Sequence, residues 1–430
     1  MYLNLCFDIV KIVFRLVCCF LLLFWKMDAF AQNKELNQKN QIFIIPELLV
    51  GETMEANTDF PESKLQKGVF LSLGTTSNSE KEWSRILGFP RVGFTIGFTD
   101  FGNSKNIGYA YTLMSFVEFD LLKKKNLLSL NVGMGGAYID TKYDPELNPF
   151  NLAVTTDVNW AFRSFVYYNV YASKIINWRL GLGYAHFSNG HTRLPNQGLN
   201  SFLLSISSSI YPHRNTNTSE ELKTEAINYS DSSSEVFLET RFGIGQNVLS
   251  RVYNDKKEVF SVAISGGKII NSTFKFSFGG YYRFYEQYYD HIVNEGRLIN
   301  EQVPHFKEKP YRYATNFGLF VGAELLMGHF GTELNLGANL YKPFYEIDWQ
   351  LSQGFYANGD YVKLGELNSY YKTKKTISSR LGIRYYILNT SNHPKNNFFI
   401  AAHINANLGQ ADFSEFSVGY ICQLNYRMKK

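Results

Sequence analysis

Cysteine is almost absent from this chain of 430 residues, and three of its four cysteines (Cys6, Cys18, Cys19) fall within the first 31 positions. Only Cys422 remains beyond them, so the rest of the chain forms neither an internal disulfide nor a cysteine metal cluster. Charge is also scarce, at 19% of residues, and 43 Lys+Arg against 38 Asp+Glu leave a net +5 with no basic cluster. That excludes a nucleic-acid partner recognised by a positive face. Beyond residue 31 no apolar run approaches the roughly 20 residues that a spanning helix needs, which excludes a helical membrane bundle. Disorder is excluded too, because 45% hydrophobic and 16% aromatic residues bury ample surface.

What is present at the start is an export signal. Lys11 and Arg15 precede the apolar stretch from Leu16 to Trp25, and Ala29-Phe30-Ala31 has the small-x-small form of a cleavage site. Residues 1–31 are expected to be a signal peptide, leaving Gln32 as the mature N-terminus. An exported chain without disulfides needs another source of stability, and a closed sheet supplies one.

The remainder alternates with period two, the mark of half-buried strands. Over 330–341 Phe330, Thr332, Leu334, Leu336, Ala338 and Leu340 share one face, with Gly331, Glu333, Asn335, Gly337, Asn339 and Tyr341 on the other. In 400–408 Ile400, Ala402, Ile404, Ala406 and Leu408 do the same. The less apolar face is rich in Gly, Ser, Asn and isolated charges, as a barrel lumen requires. Aromatic groups such as Tyr281, Tyr282 and Tyr285, or Tyr167 and Tyr168, sit where interfacial girdles are expected. A sheet in lipid has to close, since every backbone polar group must be paired internally. About 16 candidate strands of spanning length follow. The first, near residue 47, is the least regular, because Ile42 to Ile45 do not alternate in polarity and Pro46 follows them.

The fold class expected is all-β, an antiparallel transmembrane barrel of about 14–16 strands, with two barrels of about eight as the alternative. The expected divisions are 1–31 signal peptide, 32–66 a polar segment mostly outside the barrel, 67–212 a first barrel half, 213–234 a Ser-rich break and 235–430 the remaining strands. One wide barrel is preferred, because two would need the break to join separately closed sheets. Arg179-Leu180-Gly181-Leu182 echoes Arg380-Leu381-Gly382-Ile383, a match too short to prove a repeat.

Chemistry concentrates in 178–200, WRLGLGYAHFSNGHTRLPNQGLN. By parity Trp178, Leu180, Leu182, Tyr184, His186 and Ser188 share the lipid face of one strand, and Asn200 opens the same face of the next. A serine hydroxyl is a poor nucleophile until a base takes its proton, and a neighbouring histidine is the usual base. Asn189, Asn196 and the Gly190 N–H lie in the same hairpin and are available as oxyanion donors. The bland reading is that His and Ser near a strand end are interfacial polar residues, and that Asn-Gly and Pro-Asn are ordinary turn signals. His186 and His191 are not at a metal spacing. Asp140, Asp144 and Glu146 suit either a calcium loop or a solvated acidic turn. Cys422 lies on an apolar face as a small hydrophobe.

His-x-Ser-Asn followed by Pro-Asn-x-Gly, in residues 186–200, resembles the PagL-type lipid A 3-O-deacylases, an acyloxyacyl-hydrolase-like outer-membrane family. The resemblance covers roughly 68–212. It implies an eight-stranded outer-membrane barrel with an outward-facing serine hydrolase site that removes an ester-linked acyl chain from the lipid A of lipopolysaccharide, with no cofactor and no metal. Carried over, His186 is the general base, Ser188 the nucleophile, and Asn196, with Asn189 and Gly190, the oxyanion support. The family pattern places a Glu fourteen residues after the histidine; here that position is Asn200. An amide fixes the imidazole tautomer but does not neutralise imidazolium. The strands beyond 212 have no counterpart in compact members. The alternative function is a non-enzymatic barrel, a porin or lipid-binding protein that keeps the hairpin. Lipid A and outer-membrane lipid are the expected partners.

Overall fold

A computed structural model describes residues 41–76, 81–122, 127–173, 175–211, 233–353, 355–357, 360–362 and 367–424. The expected signal peptide and nearly all of the Ser-rich break lie outside the described residues. Eight antiparallel strands, β1 (Ile42–Thr53), β2 (Gln66–Thr76), β3 (Arg91–Asp100), β4 (Tyr109–Asp120), β5 (Leu128–Ile139), β6 (Val158–Ala172), β7 (Ile176–Ser188) and β8 (Leu199–Ile210), form one closed barrel. A second closed barrel follows, built from β9 (Ser234–Asn247), β10 (Lys257–Ile270), β11 (Phe274–Tyr285), β12 (Thr315–Met327) and β13 (Phe330–Tyr341). After a small hairpin of β14 (Phe355–Ala357) and β15 (Asp360–Val362), it is completed by β16 (Ile377–Tyr386), β17 (Asn396–Asn407) and β18 (Gln410–Gln423). The all-β barrel architecture therefore holds in its two-barrel form.

The preferred single wide barrel is not what the strands make. β8 returns to β1, pairing Ser201 with Thr53 through Ile210 with Ile44, and β18 returns to β9 from Ser414↔Gln246 to Gln423↔Phe237. Period-two alternation states that a strand is half-buried but not which strand closes on which, so sixteen strands read alike in either arrangement. The boundary at 67 also moves, because β1 lies within the segment expected outside the barrel. Phe43, Ile45, Glu47 and Leu49 are buried toward the lumen, while Ile42, Leu48 and Val50 are exposed. Pro46 faces outward; β1 pairs with β8 at Ile44 and again from Glu47, leaving the proline where no ladder bond to β8 is formed. The Arg-Leu-Gly echo falls on the seventh strand of one barrel and the sixth of the other, so the two copies are not equivalent positions.

Eight strands leave a lumen just wide enough for side chains, and here ion pairs fill it. In the first barrel Glu118 meets Arg91 and Arg179, each at 2.7 Å, and accepts hydrogen bonds from Ser129 and Asn131. Glu47 meets Arg163 at 2.8 Å and accepts from Tyr167 and Ser205. In the second, Arg384 and Lys275 bridge Glu239, Glu324 and Glu333, and Arg241 and Arg380 share Glu415. Consecutive tyrosines split between faces. Tyr167, Tyr281 and Tyr285 are buried inward, so of these groups only Tyr168 and Tyr282 face outward as girdle residues.

The two barrels point the same way. Each begins and ends at one pole, as an even strand number dictates, and the chain between Ile210 and Ser234 joins them there. At the opposite pole lie the three longest connections within the barrels, 140–157, 286–314 and 342–376, together with 54–65 and 248–256. Outward-facing Val117, Phe119, Leu130 and Val132 are buried against Leu325 and Met327 of the second barrel, forming an apolar seam. At the joining pole Ser272 donates to Glu82 across the seam at 3.2 Å. Among the described residues no helix is long and apolar enough to cross a membrane. The outward apolar surface belongs to strands, with Leu180, Leu182, Leu204 and Ile206 all exposed.

Removing Glu118 leaves the buried Arg179 without its carboxylate partner, while Arg91 keeps Asp120 at 3.1 Å. Glu118→Ala is expected to destabilise the first barrel by about 3–5 kcal/mol. Heat-modifiability on gels against temperature checks this, the expected result being a lower midpoint than wild type.

Candidate active site

The β7–β8 hairpin turns at the pole carrying the long connections. Its register pairs His186 directly with Asn200 and Tyr184 with Phe202, while Trp160 of β6 lies opposite Ser188 on the other side. Strand parity puts Trp178, Leu180 and Leu182 outward and exposed, with half-buried Tyr184 and His186 and then buried Ser188 continuing the stripe. On β8 the stripe is Asn200, half-buried, then exposed Phe202, Leu204 and Ile206. The polar cluster thus caps an apolar outer face.

Two hydrogen-bonded groups make up the cluster. In the first, His186 Nδ1 and Asn200 Oδ1 are 2.7 Å apart, and Tyr184 Oη donates to the same oxygen at 2.5 Å. An amide oxygen only accepts, so Nδ1 carries the proton and Nε2 is left with its lone pair, the tautomer that a general base requires. In the second group, Asn196 Nδ2 donates to Ser188 Oγ at 2.9 Å and Gly190 N donates to it at 3.3 Å. These are two of the three groups expected as oxyanion donors, converging on the serine oxygen. Asn189 has a different place: its Oδ1 accepts from His191 N and Thr192 N, its Nδ2 donates to Arg193 O, and its own N–H donates to Asn196 Oδ1. It shapes the loop and orients Asn196 instead of facing the serine. His186 and Ser188 stand two residues apart on one face, roughly 7 Å of strand rise, and are not hydrogen-bonded to each other.

Backbone constraints hold the loop. Gly190 has φ +65° and Gly198 has φ +77°, a region that favours glycine. A Cβ at Gly198 would come within 2.8 Å of His186 Cε1, so the chain passes flat against the imidazole there. Gln197 N and Gly198 N donate to the carbonyls of Leu152 and Ala153, both at 3.0 Å, and Thr155 Oγ1 donates to Pro195 O. The connection 140–157 is therefore a brace for the hairpin. Asp140 and Asp144 serve that brace as turn formers, accepting from Tyr109 N and from Glu146 and Leu147 N. Among the described residues no group of side chains is arranged to hold a metal. Tyr184 and Gly198 were not singled out from sequence. Tyr184 shares the face parity of His186, and Gly198 closes the Pro-Asn-x-Gly string; both signals were present.

His191 packs toward the second barrel. Burial pushes its imidazole below the ordinary range, against the opposing effect of Asp412 and the nearby Val248 backbone, with Lys342 adding to the depression.

The family model described as lipid A 3-O-deacylase (PagL) matches residues 67–209. A crystal structure of the outer membrane enzyme PagL aligns at 15% identity, covering 38% of this chain and 97% of that one, with a TM-score of 0.28. The NanC porin aligns at 8% identity over 88% of this chain and 100% of its own, with a TM-score of 0.14. The translocator domain of the autotransporter NalP from Neisseria meningitidis aligns at 8% identity, over 90% of this chain and 89% of its own, at a TM-score of 0.16. No curated protein matches the chain. The family match and the barrel fold together point to the outer membrane.

Two outcomes are expected. Gly198→Ala, which forces a methyl against His186 at a positive φ, is expected to break the His186–Asn200 hydrogen bond, read as a shift of the His186 imidazole resonances in NMR, while the heat-modifiable barrel persists on gels. Because the folded state holds His191 with a depressed pKa, the unfolded hairpin binds more protons in acid. Protection of 189–198 from hydrogen exchange is therefore full above about pH 6.5 and declines as the pH falls below it. His191→Gln flattens that dependence.

Proposed function

We propose that this protein is an outer-membrane serine esterase that removes an ester-linked acyl chain from the lipid A of lipopolysaccharide, after export directed by residues 1–31. The observation that carries the reading is the pairing of two groups on one outward face: His186 held by Asn200, and Ser188 Oγ met by Asn196 Nδ2 and Gly190 N. The match of 67–209 to the deacylase family supports the same substrate class. The apolar stripe of Leu180, Leu182, Leu204 and Ile206 below the cluster suits acyl chains lying along the barrel wall. Longer connections on outer-membrane barrels are the extracellular ones, which sets the cluster against the outer leaflet.

In the mechanism, His186 Nε2 takes the proton of Ser188 Oγ as that oxygen bonds to the acyl carbonyl carbon. The carbonyl oxygen becomes an oxyanion, stabilised by the donors that converge beside the serine, Asn196 Nδ2 and Gly190 N–H. Collapse breaks the ester bond, and the imidazolium returns its proton to the departing sugar hydroxyl. Water, deprotonated by the same imidazole, then releases the fatty acid and restores Ser188. Asn200 holds the ring and its tautomer, with Tyr184 holding Asn200; it adds no negative charge beside the imidazolium.

The second reading is a lipid-binding barrel without turnover. It is favoured by Asn200 standing where the family pattern has Glu, and by the absence of a His186–Ser188 hydrogen bond. A water-filled porin is disfavoured, since buried ion pairs cross both lumens.

Mass spectrometry of lipid A from cells carrying wild type or Ser188→Ala decides between them. Loss of one acyl chain with wild type alone is expected; unchanged lipid A in both, with the protein in the outer membrane, leaves the lipid-binding reading. In the purified enzyme Asn200→Ala is expected to lower kcat at least tenfold by freeing the imidazole. Asn200→Glu is expected to raise it about tenfold, because a charge-assisted bond is roughly twice as strong as a neutral one.

A further inference from the structure

The hairpin loop 189–198 is gripped from two sides, and only one of them belongs to its own barrel. From the second barrel, Ser414 at the start of β18 accepts a hydrogen bond from Trp160 Nε1 at 3.2 Å and donates to Gly190 O at 3.3 Å. The approach is close: a Cβ at Gly190 would fall 2.2 Å from Ser414 Oγ. Asn254, in the connection 248–256, receives Leu194 N at 2.8 Å and donates to Leu194 O at 2.6 Å, a paired clasp resembling one rung of a sheet.

These contacts bear on the two donors that face Ser188. Gly190 supplies one through its N–H, at φ +65°, and Ser414 anchors the carbonyl of the same residue. Asn196 supplies the other, two residues after Leu194, which Asn254 clasps on both backbone groups. Trp160, which Ser414 also engages, lies opposite Ser188 in the β6–β7 ladder. A loop held only by its own turn bonds samples several arrangements, whereas one pinned at Gly190 and Leu194 keeps its donors aimed.

We propose that the second barrel is a working part of the esterase, with Ser414 and Asn254 acting as positioning residues that hold Gly190 and Asn196 in register with Ser188. The proposal rests on the reading of Ser188 as nucleophile. It assigns the strands beyond 212 a function: they complete the oxyanion support of a site whose reacting groups all lie in the first barrel. Neither residue touches substrate. Their effect is therefore on turnover and on loop order, not on binding of the acyl chain.

The test uses the full-length protein in detergent micelles with purified lipid A, following released fatty acid by mass spectrometry, alongside hydrogen exchange of 189–198. Ser414→Ala and Asn254→Ala are each expected to lower kcat about tenfold and together about a hundredfold, with KM within twofold and the heat-modifiable form retained. Ser414→Thr, which keeps a hydroxyl at the same carbon, is expected to restore at least half of wild-type turnover. Exchange in 189–198 is expected to rise in both alanine variants and not in Ser414→Thr. If wild type is active, Ser188→Ala inactive, and the alanine variants lie within twofold of wild type, the positioning role is overturned while the esterase stands. If Ser188→Ala keeps wild-type activity, the nucleophile reading falls and the proposal with it. Unchanged exchange in both alanine variants overturns the proposal whatever the activities are.

Discussion

Closure after eight strands is the constraint from which the remaining features follow. Within lipid an open sheet edge would leave a row of backbone donors and acceptors without partners, so β1 must find β8 and β9 must find β18. A ring of eight strands is too narrow for an aqueous passage. Its inward side chains must fill it, and the buried Glu–Arg and Glu–Lys pairs that do so satisfy one another in place of water. With the interior occupied, chemistry on a substrate has only the outer wall available.

The even strand number then sets direction. Both barrels start and finish at one pole, so a connection leaving Ile210 for Ser234 places them side by side with the same orientation. Long connections gather at the far pole from both barrels, and the seam of Val117, Phe119, Leu130 and Val132 with Leu325 and Met327 keeps the rims together. That juxtaposition brings Ser414 and Asn254 against the β7–β8 hairpin. A single wide barrel of the same strands would have put Ser414, on its last strand, across a lumen from that hairpin.

Much of the hairpin is legible in the sequence. Period-two parity assigned His186 and Ser188 to the same outward face, and the spacing to Asn200 suited a hairpin partner. The structure pairs His186 with Asn200 across the ladder and turns Asn196 and Gly190 toward the serine. Asn189 was grouped with the oxyanion donors because it is an amide beside Ser188. Its side chain instead closes the turn on His191, Thr192 and Arg193, a choice made by local backbone geometry that type and spacing do not encode. Tyr167 and Tyr281 were read as girdle residues from clustering alone, yet adjacent residues on a strand face opposite ways and these two point inward.

Sequence by itself determined the strands: the roughly sixteen spanning strands expected are met by the two rings of eight, because alternation of side-chain polarity is a local property of each segment. It also determined which side chains of β7 face outward, since parity cannot change without a register slip. Tertiary structure decided what local pattern leaves open. Where the ring closes depends on pairing between β1 and β8, separated by the whole barrel, and no residue in either strand states its partner. The grip of the second barrel on the 189–198 loop depends in turn on that closure, because only two separate rings, side by side and pointing the same way, bring Ser414 to Gly190.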